Sequence, residues 1–364
     1  VFHPLRVARI ERTVGPGGAG DTVALTLAVP PELRPVFRFL PGQHLTIRHI
    51  TPDGTELRRN YSLCNPAPPP GSAEPGPAEL TIGIRRIAEG GFSSYAVTRL
   101  TEGDTLEVMP PAGRFTLVPR PGRFAAVTGG SGITPVLSMA ASLLAAEPTA
   151  RFTLLRSDRT AASAMFLTET ADLKDRYPGR FQLISALTRE DRQAGLAGGR
   201  LDAGRLAGLL PRLLPVGEVT GWYLCGPLGL ISAARQALAK LDVPGERVHA
   251  ELFHAEDAPL PPAAPVPGRE LARDAEVSAT LDGRSGSFPV RDGETLLDAV
   301  LRGRPDAPYA CKGGVCGTCR ARLLSGEVHM DRNYALEPAE LDAGYVLACQ
   351  SHPLTAEVRL DFDA

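Results

Sequence analysis

Three cysteines, Cys311, Cys316 and Cys319, are spaced C-x4-C-x2-C, and Cys349 follows after 29 intervening residues. Thiolates in this pattern suit a plant-type [2Fe–2S] cluster, in which each iron takes two cysteine ligands. Three close ligands on one loop and a fourth from a later segment supply the set with little chain strain. The residues between them are mostly small, with Gly313, Gly314 and Gly317 among them. Backbone N–H groups can therefore approach the sulfides and tune the potential. The other chemistries open to such cysteines are a zinc site and a disulfide pair. Zinc sites commonly pair their ligands as two C-x2-C knuckles, whereas the first spacing here is four. The set reads as a one-electron carrier.

Further constellations lie upstream. Arg59-Asn60-Tyr61-Ser62 ends a strand, with Leu63 directly after it. An arginine there can grip a diphosphate, an aromatic can stack on a flat ring, and a hydroxyl can bond the ring edge. Taken alone, Tyr61 is equally an ordinary rim aromatic. Arg85-Arg86 and Gly90-Gly91-Phe92-Ser93-Ser94 precede a helical stretch. Free N–H groups at such a helix start suit a phosphate, although a plain capped turn has the same composition. Thr128-Gly129-Gly130-Ser131-Gly132-Ile133-Thr134-Pro135 sits between a strand and a helix, where a dinucleotide pyrophosphate binds in α/β sheets. It lacks the full G-x-G-x-x-G spacing. Cys225-Gly226-Pro227 follows another strand, so Cys225 is either a nicotinamide contact or packing. Glu251-Leu252-Phe253 closes the last strand, with Phe253 either covering a ring or filling core. The seven histidines show no metal-ligand spacing and no Ser/His/Asp arrangement. His44 and His49 read as surface or rim residues.

The elements that must carry these residues change character along the chain. Up to about residue 118, strands at 23–29, 44–48, 57–63, 80–86 and 105–108 alternate with Pro/Gly turns, which indicates a β-barrel. Residues 66–77 form a Pro/Gly/Ala-rich loop between two of them. From 119 to 255 the pattern becomes β-α-β, with buried strands at 123–127, 151–155, 181–186 and 221–224. A helix starts at Pro135, with Thr134 as its N-cap and Val136, Leu137, Ala140, Leu143 and Leu144 as its apolar stripe. This is a doubly wound parallel sheet. Residues 256–271 are a proline-rich linker, extended at roughly 3.1 Å per residue, and 272–364 hold the cysteines.

At 364 residues with 43% hydrophobic and 22% charged residues, the chain has the composition of a soluble multidomain protein. Its formal net charge of -2 favours neither nucleic acid nor a membrane surface. The charge is uneven: residues 273–364 carry 15 acidic and 10 basic side chains. An acidic cluster segment suggests electrostatic docking with a basic surface. Only Cys64 and Cys225 remain outside the ligand set, which fits a reducing compartment. The N-terminus, Val1 to Ile10, lacks the apolar core of a signal peptide, and no stretch approaches the ~18–20 apolar residues of a membrane span. These features point to the cytoplasm.

Taken in order, F-x-P-G-Q (39–43), R-x-Y-S, G-G-x-S-S, G-G-S-G-I-T-P, C-G-P, E-x-F and C-x4-C-x2-C…C resemble the ferredoxin–NADP reductase superfamily with a fused plant-type ferredoxin, over essentially the whole chain. The resemblance implies an FAD-binding antiparallel β-barrel, a doubly wound NADP-binding domain and a C-terminal β-grasp [2Fe–2S] domain. In that last domain 295–302 would be the helix, with Thr295 and Asp298 spaced as a capping box. It further implies that Arg59, Tyr61 and Ser62 contact FAD, with Leu63 and Arg85 nearby, and that Gly91, Phe92, Ser93 and Ser94 hold its pyrophosphate. Gly130, Gly132, Thr134, Cys225, Gly226 and Pro227 would line the nicotinamide-dinucleotide site, with Tyr61, Ser62, Cys225, Glu251 and Phe253 at the reacting rings. Thr188-Arg189-Glu190 resembles the Ser-Arg pair that holds the NADP 2′-phosphate, and Arg156 and Arg159 add positive charge. NADPH is therefore the expected donor, with NADH the alternative. The segments CKGGVCGTCRAR (311–322), GEVHMDRNYA (326–335) and GYVLACQ (344–350) resemble the reductase subunits of phenylacetyl-CoA epoxidases. That resemblance implies a di-iron oxygenase of phenylacetate degradation as the electron acceptor. A steroid-hydroxylating or other oxygenase, a general diaphorase and a non-turnover flavin/cluster sensor are the alternatives.

Overall fold

The computed structural model describes all residues except 16–17, 52, 70, 73–74, 88–90, 191–197, 254–270 and 273. The chain divides into two compact units, one ending at Phe253 and the other beginning at His254. The expected linker at 256–271 falls almost wholly outside the described residues, as do three residues of the 66–77 loop.

The first unit opens with six antiparallel strands: β1 (His3–Gly15), β2 (Gly18–Ala28), β3 (His44–Ile50), β4 (Glu56–Ser62), β5 (Glu79–Arg85) and β6 (Thr105–Val108). They form one sheet in the order β4-β3-β6-β1-β2-β5. A bridge between Leu63 and Ile82 brings its two edges together, so the sheet closes as a barrel. Leu5, Val7, Leu25, Leu45, Ile47, Leu63, Ile82 and Ile84 fill it, all at 0–1% exposure. The short helix α1 (Phe92–Thr98) lies against β2 and β5.

The barrel was expected without β1. That strand carries register shifts between Val7 and Arg9 and between Arg12 and Val14. Each shift breaks the two-residue period by which an amphipathic strand is recognised.

The same unit continues as β7 (Arg123–Gly129), α2 (Ile133–Ala146), β8 (Arg151–Asp158), α3 (Leu167–Arg176), β9 (Phe181–Leu187), α4 (Ala203–Leu213), β10 (Val219–Gly226), α5 (Leu228–Lys240) and β11 (Val248–Leu252). All five strands are parallel, in the order β11-β10-β7-β8-β9. The order reverses between β7 and β10, which is where open α/β sheets form a ligand crevice beyond the strand ends. α2 starts two residues before its expected first position and is capped by Gly132, not Thr134. Thr134 lies in the first turn, and its hydroxyl donates to the Ser131 carbonyl at 2.9 Å. The predicted stripe of α2 is buried throughout.

Taken by itself, the second unit contains β12 (Glu276–Leu281), β13 (Arg284–Pro289), α6 (Leu296–Gly303), β14 (Arg320–Ser325), β15 (Val328–Met330), α7 (Pro338–Asp342), β16 (Tyr345–Leu347), β17 (Ser351–Pro353) and β18 (Glu357–Asp361). Its mixed five-stranded sheet runs β13-β12-β18-β14-β16, and α6 buries Leu296, Leu297, Ala299 and Val300 against it. This helix gripped by a mixed sheet is the expected β-grasp arrangement. Thr295 does cap α6 by accepting from the Asp298 N–H at 3.2 Å. The Asp298 carboxylate returns to the Thr295 hydroxyl, not to its backbone. Among the described residues no helix is long and apolar enough to cross a membrane.

The turns after β7 and β10 touch backbone to backbone. A Cβ on Gly132 would lie 2.0 Å from the Cys225 carbonyl oxygen, and one on Gly226 would lie 2.8 Å from the Gly129 nitrogen. We expect Gly132→Ala to destabilise the protein by about 1–3 kcal/mol, the usual cost of overpacking, read as a lowered urea midpoint.

Candidate redox site

One row of side chains crosses the C-terminal end of the parallel sheet. In register, Ser185 pairs with Arg156, Arg156 with Thr128, Thr128 with Cys225, and Cys225 with Glu251. Paired positions on neighbouring strands share a face, here the one that also packs Cys64, Phe115 and Leu117 from the barrel side of the unit. Phe253 packs against the same cluster. Three members of the row sit at the reversal of strand order. There Thr128 Oγ1 and Glu251 Oε2 are sealed from solvent without a hydrogen-bond partner, and Cys225 is fully buried. Buried polar atoms without partners are rare, and these two lie in one register row on either side of Cys225. Burial pushes the Glu251 carboxyl up to about 8 and raises the Cys225 thiol further, with Glu251 adding to the latter.

On the barrel, the alternation of β4 places Arg59 and Tyr61 on one face and Ser62 on the other. The Tyr61 ring stands 5.7 Å from Phe92 at the start of α1, and burial raises its phenol. Ser62 is 4% exposed and lies directly across from His44. His44 is not the rim residue expected. It is 5% exposed, its Nε2 is buried without a partner, and desolvation lowers it to about 4, so it is neutral. The space around it exists because residue 113 is glycine: a Cβ there would come within 2.8 Å of His44 Nδ1. His49 is half-buried and stacks on Tyr95 at 4.6 Å. No sequence spacing marks His44; only its register partner does.

Gly91 caps α1 with its backbone alone, and the Ser93 hydroxyl accepts the Ile87 N–H at 3.4 Å. Gly90 lies outside the described residues. The Ser94 N–H donates to the Gly91 carbonyl at 3.1 Å. Arg85 crosses to the nucleotide sheet, where its Nη2 donates to the Ser163 carbonyl at 2.8 Å and its Nη1 lies against Gly130. Gly130 has a φ of 55°, a conformation that a glycine adopts without penalty. Pro227 caps α5 directly after Gly226.

Two candidates belong to the framework. Leu63 is 0% exposed inside the barrel, so its side chain is core. Arg156 is 1% exposed, and its guanidinium donates to Asp158 Oδ2 at 2.7 Å, Thr170 Oγ1 at 3.2 Å and the Met165 carbonyl at 2.8 Å. All three of its nitrogens are thus engaged inside the protein, away from solvent. The same pairing occupies Asp158. Arg159 and Arg189, by contrast, are exposed at the ends of β8 and β9, joined by an Arg189 N–H to Arg159 carbonyl bond of 2.9 Å. Glu190 turns back to accept the Ala161 N–H at 2.8 Å.

In the second unit the cysteines stand in two pairs. Cys311 and Cys316 interact directly through their thiols, and so do Cys319 and Cys349. Among the described residues no three of His, Cys, Asp or Glu converge on a single ion position. Two thiols per iron is what a two-iron cluster requires. The loop bends through Lys312, Gly314 and Gly317, all at positive φ. The Gly313 N–H points at Cys311 Sγ at 3.3 Å, the kind of contact that stabilises a thiolate ligand. Gln350 ties the loop to the fourth ligand by donating to the carbonyls of Lys312 and Cys349.

The chain matches three family models: an oxidoreductase FAD-binding domain at 19–117, an oxidoreductase NAD-binding domain at 126–236 and a 2Fe-2S iron-sulfur cluster binding domain at 279–354. It is 41% identical to one of the subunits of 1,2-phenylacetyl-CoA epoxidase from Escherichia coli, covering 100% of this chain and 98% of that one. It is 33% identical to the ferredoxin reductase component of 3-ketosteroid-9-alpha-monooxygenase from Rhodococcus rhodochrous, over 94% of this chain and 93% of that one. Among solved structures, phthalate dioxygenase reductase matches with a TM-score of 0.58 and 26% identity, over 99% and 98% of the two chains. Fold and site therefore define an NAD(P)H-dependent oxidoreductase with FAD, a nicotinamide dinucleotide and a [2Fe–2S] cluster as its redox groups. More narrowly, the chain belongs to the family of reductase components that includes the epoxidase protein and the ketosteroid monooxygenase reductase.

Because the folded protein retains the Glu251 proton up to about pH 8, whereas an unfolded carboxyl loses its proton near 4.3, raising the pH through that window favours unfolding. Thermal melts of Glu251→Gln should lack this decline and exceed wild type at pH 8.

Proposed function

We propose that the protein is the reductase component of a multicomponent monooxygenase, carrying electrons from NADPH through FAD and its [2Fe–2S] cluster to a di-iron epoxidase that acts on phenylacetyl-CoA. The observation that carries this reading is the 41% identity to a phenylacetyl-CoA epoxidase component along the whole of both chains. FAD supplies the conversion of a two-electron donor into single electrons, and the cluster passes them on. The chain's residues supply binding and alignment. Tyr61 and Arg59 offer a ring face and a cation to the flavin from one side of β4, and Ser62 offers a hydroxyl from its last position, with neutral His44 beside it. Gly91, Phe92, Ser93 and Ser94 open α1 towards the flavin pyrophosphate. Gly130 to Thr134, with Cys225, Gly226 and Pro227, line the dinucleotide crevice. Thr128 and Glu251 present unpartnered polar atoms to the nicotinamide, and a protonated Glu251 can donate a hydrogen bond without adding charge. Phe253 closes the cluster behind it.

NADPH is favoured by the exposed Arg159 and Arg189, adjacent at the ends of β8 and β9, with Asp158 occupied by Arg156 and so withheld from a ribose. We assign 1–118 to the FAD-binding barrel, 119–255 to the nucleotide domain, 256–271 to the linker and 272–364 to the cluster domain. The six cysteines are free of disulfides, in keeping with a cytoplasmic protein.

Reconstitution tests the acceptor. With NADPH and a purified di-iron epoxidase, the wild-type protein should support phenylacetyl-CoA epoxidation. Supporting only a steroid-hydroxylating oxygenase would overturn the assignment. Cys316→Ser should abolish cytochrome c reduction while sparing ferricyanide reduction by the flavin. Arg189→Ala should lower kcat/KM for NADPH about 10- to 100-fold, as loss of a charge-assisted hydrogen bond implies, and leave NADH turnover unchanged.

A further inference from the structure

Among the contacts between the nucleotide domain and the flavin barrel is a notch on β5. Thr81, Gly83 and Arg85 alternate with Leu80, Ile82 and Ile84 along β5, and the latter three fill the barrel. The other face is turned to the nucleotide sheet, and at its middle position there is no side chain. A Cβ on Gly83 would lie 2.6 Å from Phe166 Cε2, 2.8 Å from Thr134 Cγ2 and 2.9 Å from Met165 Cε. All three atoms belong to the nucleotide domain. Thr134 sits in the first turn of α2, beside the dinucleotide crevice.

Phe166 is held there against its own preference. It caps α3 at φ 55° and ψ 41°, in the left-handed region that a bulky residue seldom occupies. The surroundings enforce it. Arg156, buried, donates to the Met165 carbonyl at 2.8 Å and to Thr170 Oγ1 at 3.2 Å, and the Thr170 hydroxyl in turn donates to the Phe166 carbonyl at 2.9 Å. One residue row away, Arg85 donates to the Ser163 carbonyl of the same segment. A residue held in an unfavoured conformation by a buried ion pair, and seated in a glycine notch of the opposite domain, fits a device for alignment better than one for local folding.

We propose that Phe166 is a positioning residue whose seat on Gly83 sets the register of the nucleotide domain against the flavin barrel, and through it the approach of the nicotinamide to the flavin. The proposal rests on the reading of the barrel as the flavin site and the sheet as the nicotinamide site. Misplacing reacting groups by about 1 Å slows a reaction on the order of 100-fold, so the limiting rate is the quantity that moves.

The test is stopped-flow reduction of the FAD in the full-length holoprotein by NADPH. Gly83→Ala fills the notch, Phe166→Ala removes the knob, and the double variant does both. Each single variant should lower the limiting rate of flavin reduction roughly 10- to 100-fold. The FAD content and reduction by dithionite should stay at wild-type values in both single variants, as should the nucleotide dissociation constant in Phe166→Ala. The double variant should be no slower than the slower single one, because the two residues act on one contact. If Gly83→Ala does not fold, Phe166→Ala carries the test, since it only removes atoms. Wild-type rates in the single variants would overturn the proposal, as would losses that follow FAD content or the folded fraction at the assay temperature, or that multiply in the double variant. A wild-type protein whose flavin NADPH and NADH both fail to reduce would instead overturn the functional reading beneath it.

Discussion

The contact between the turns after β7 and β10 governs the rest of the site. Two parallel strands end side by side where the sheet reverses its order, and their turns meet with no side chain between them. Gly132 abuts the Cys225 carbonyl and Gly226 abuts the Gly129 nitrogen. Only glycines permit that approach. With the turns closed in this way, Thr128, Cys225 and Glu251 form one continuous buried row, and the start of α2 opens into the crevice beyond them. A bulkier residue at either turn would separate β7 from β10 and break up the row.

That row is polar where a core should be apolar. Thr128 Oγ1 and Glu251 Oε2 have lost water and gained no partner, and on the barrel His44 Nε2 is in the same condition. Leaving such groups unpaired in the interior is unfavourable by about 1–3 kcal/mol each. Stability is lowered at these places, and in the proposed reading flavin and nicotinamide edges supply the missing partners. The cluster loop is organised differently. Its glycines and Lys312 bend the chain so that an N–H group turns towards sulfur and Gln350 fastens the loop to the last ligand.

Charge is treated in two ways within a few residues. Arg156 and Asp158 neutralise each other inside the protein, and through Met165 and Thr170 they hold the segment that faces the barrel. Arg159 and Arg189 stand in solvent at neighbouring strand ends. A sequence window shows arginines near two strand ends and nothing more. Whether a guanidinium is buried or available follows from which face of β8 it occupies, and the two-residue alternation places Arg156 inwards together with Phe152 and Leu154.

Local chemistry was legible in the sequence by itself. Cysteine spacing specified two irons, glycine turns between strands and helices specified nucleotide-type crevices, and β-α-β periodicity specified a parallel sheet. These are short-range patterns, carried by residues close together in the chain. What only the tertiary structure decided were matters of pairing between distant segments. They include the barrel strand β1, whose bulges hide its period, and the neutral buried His44, defined by Ser62 opposite it and Gly113 above it. They include the burial of the Leu63 and Arg156 side chains, and the meeting of Phe166 with Gly83. None of these has a local signature, because burial and register are properties of a segment's neighbours and not of the segment.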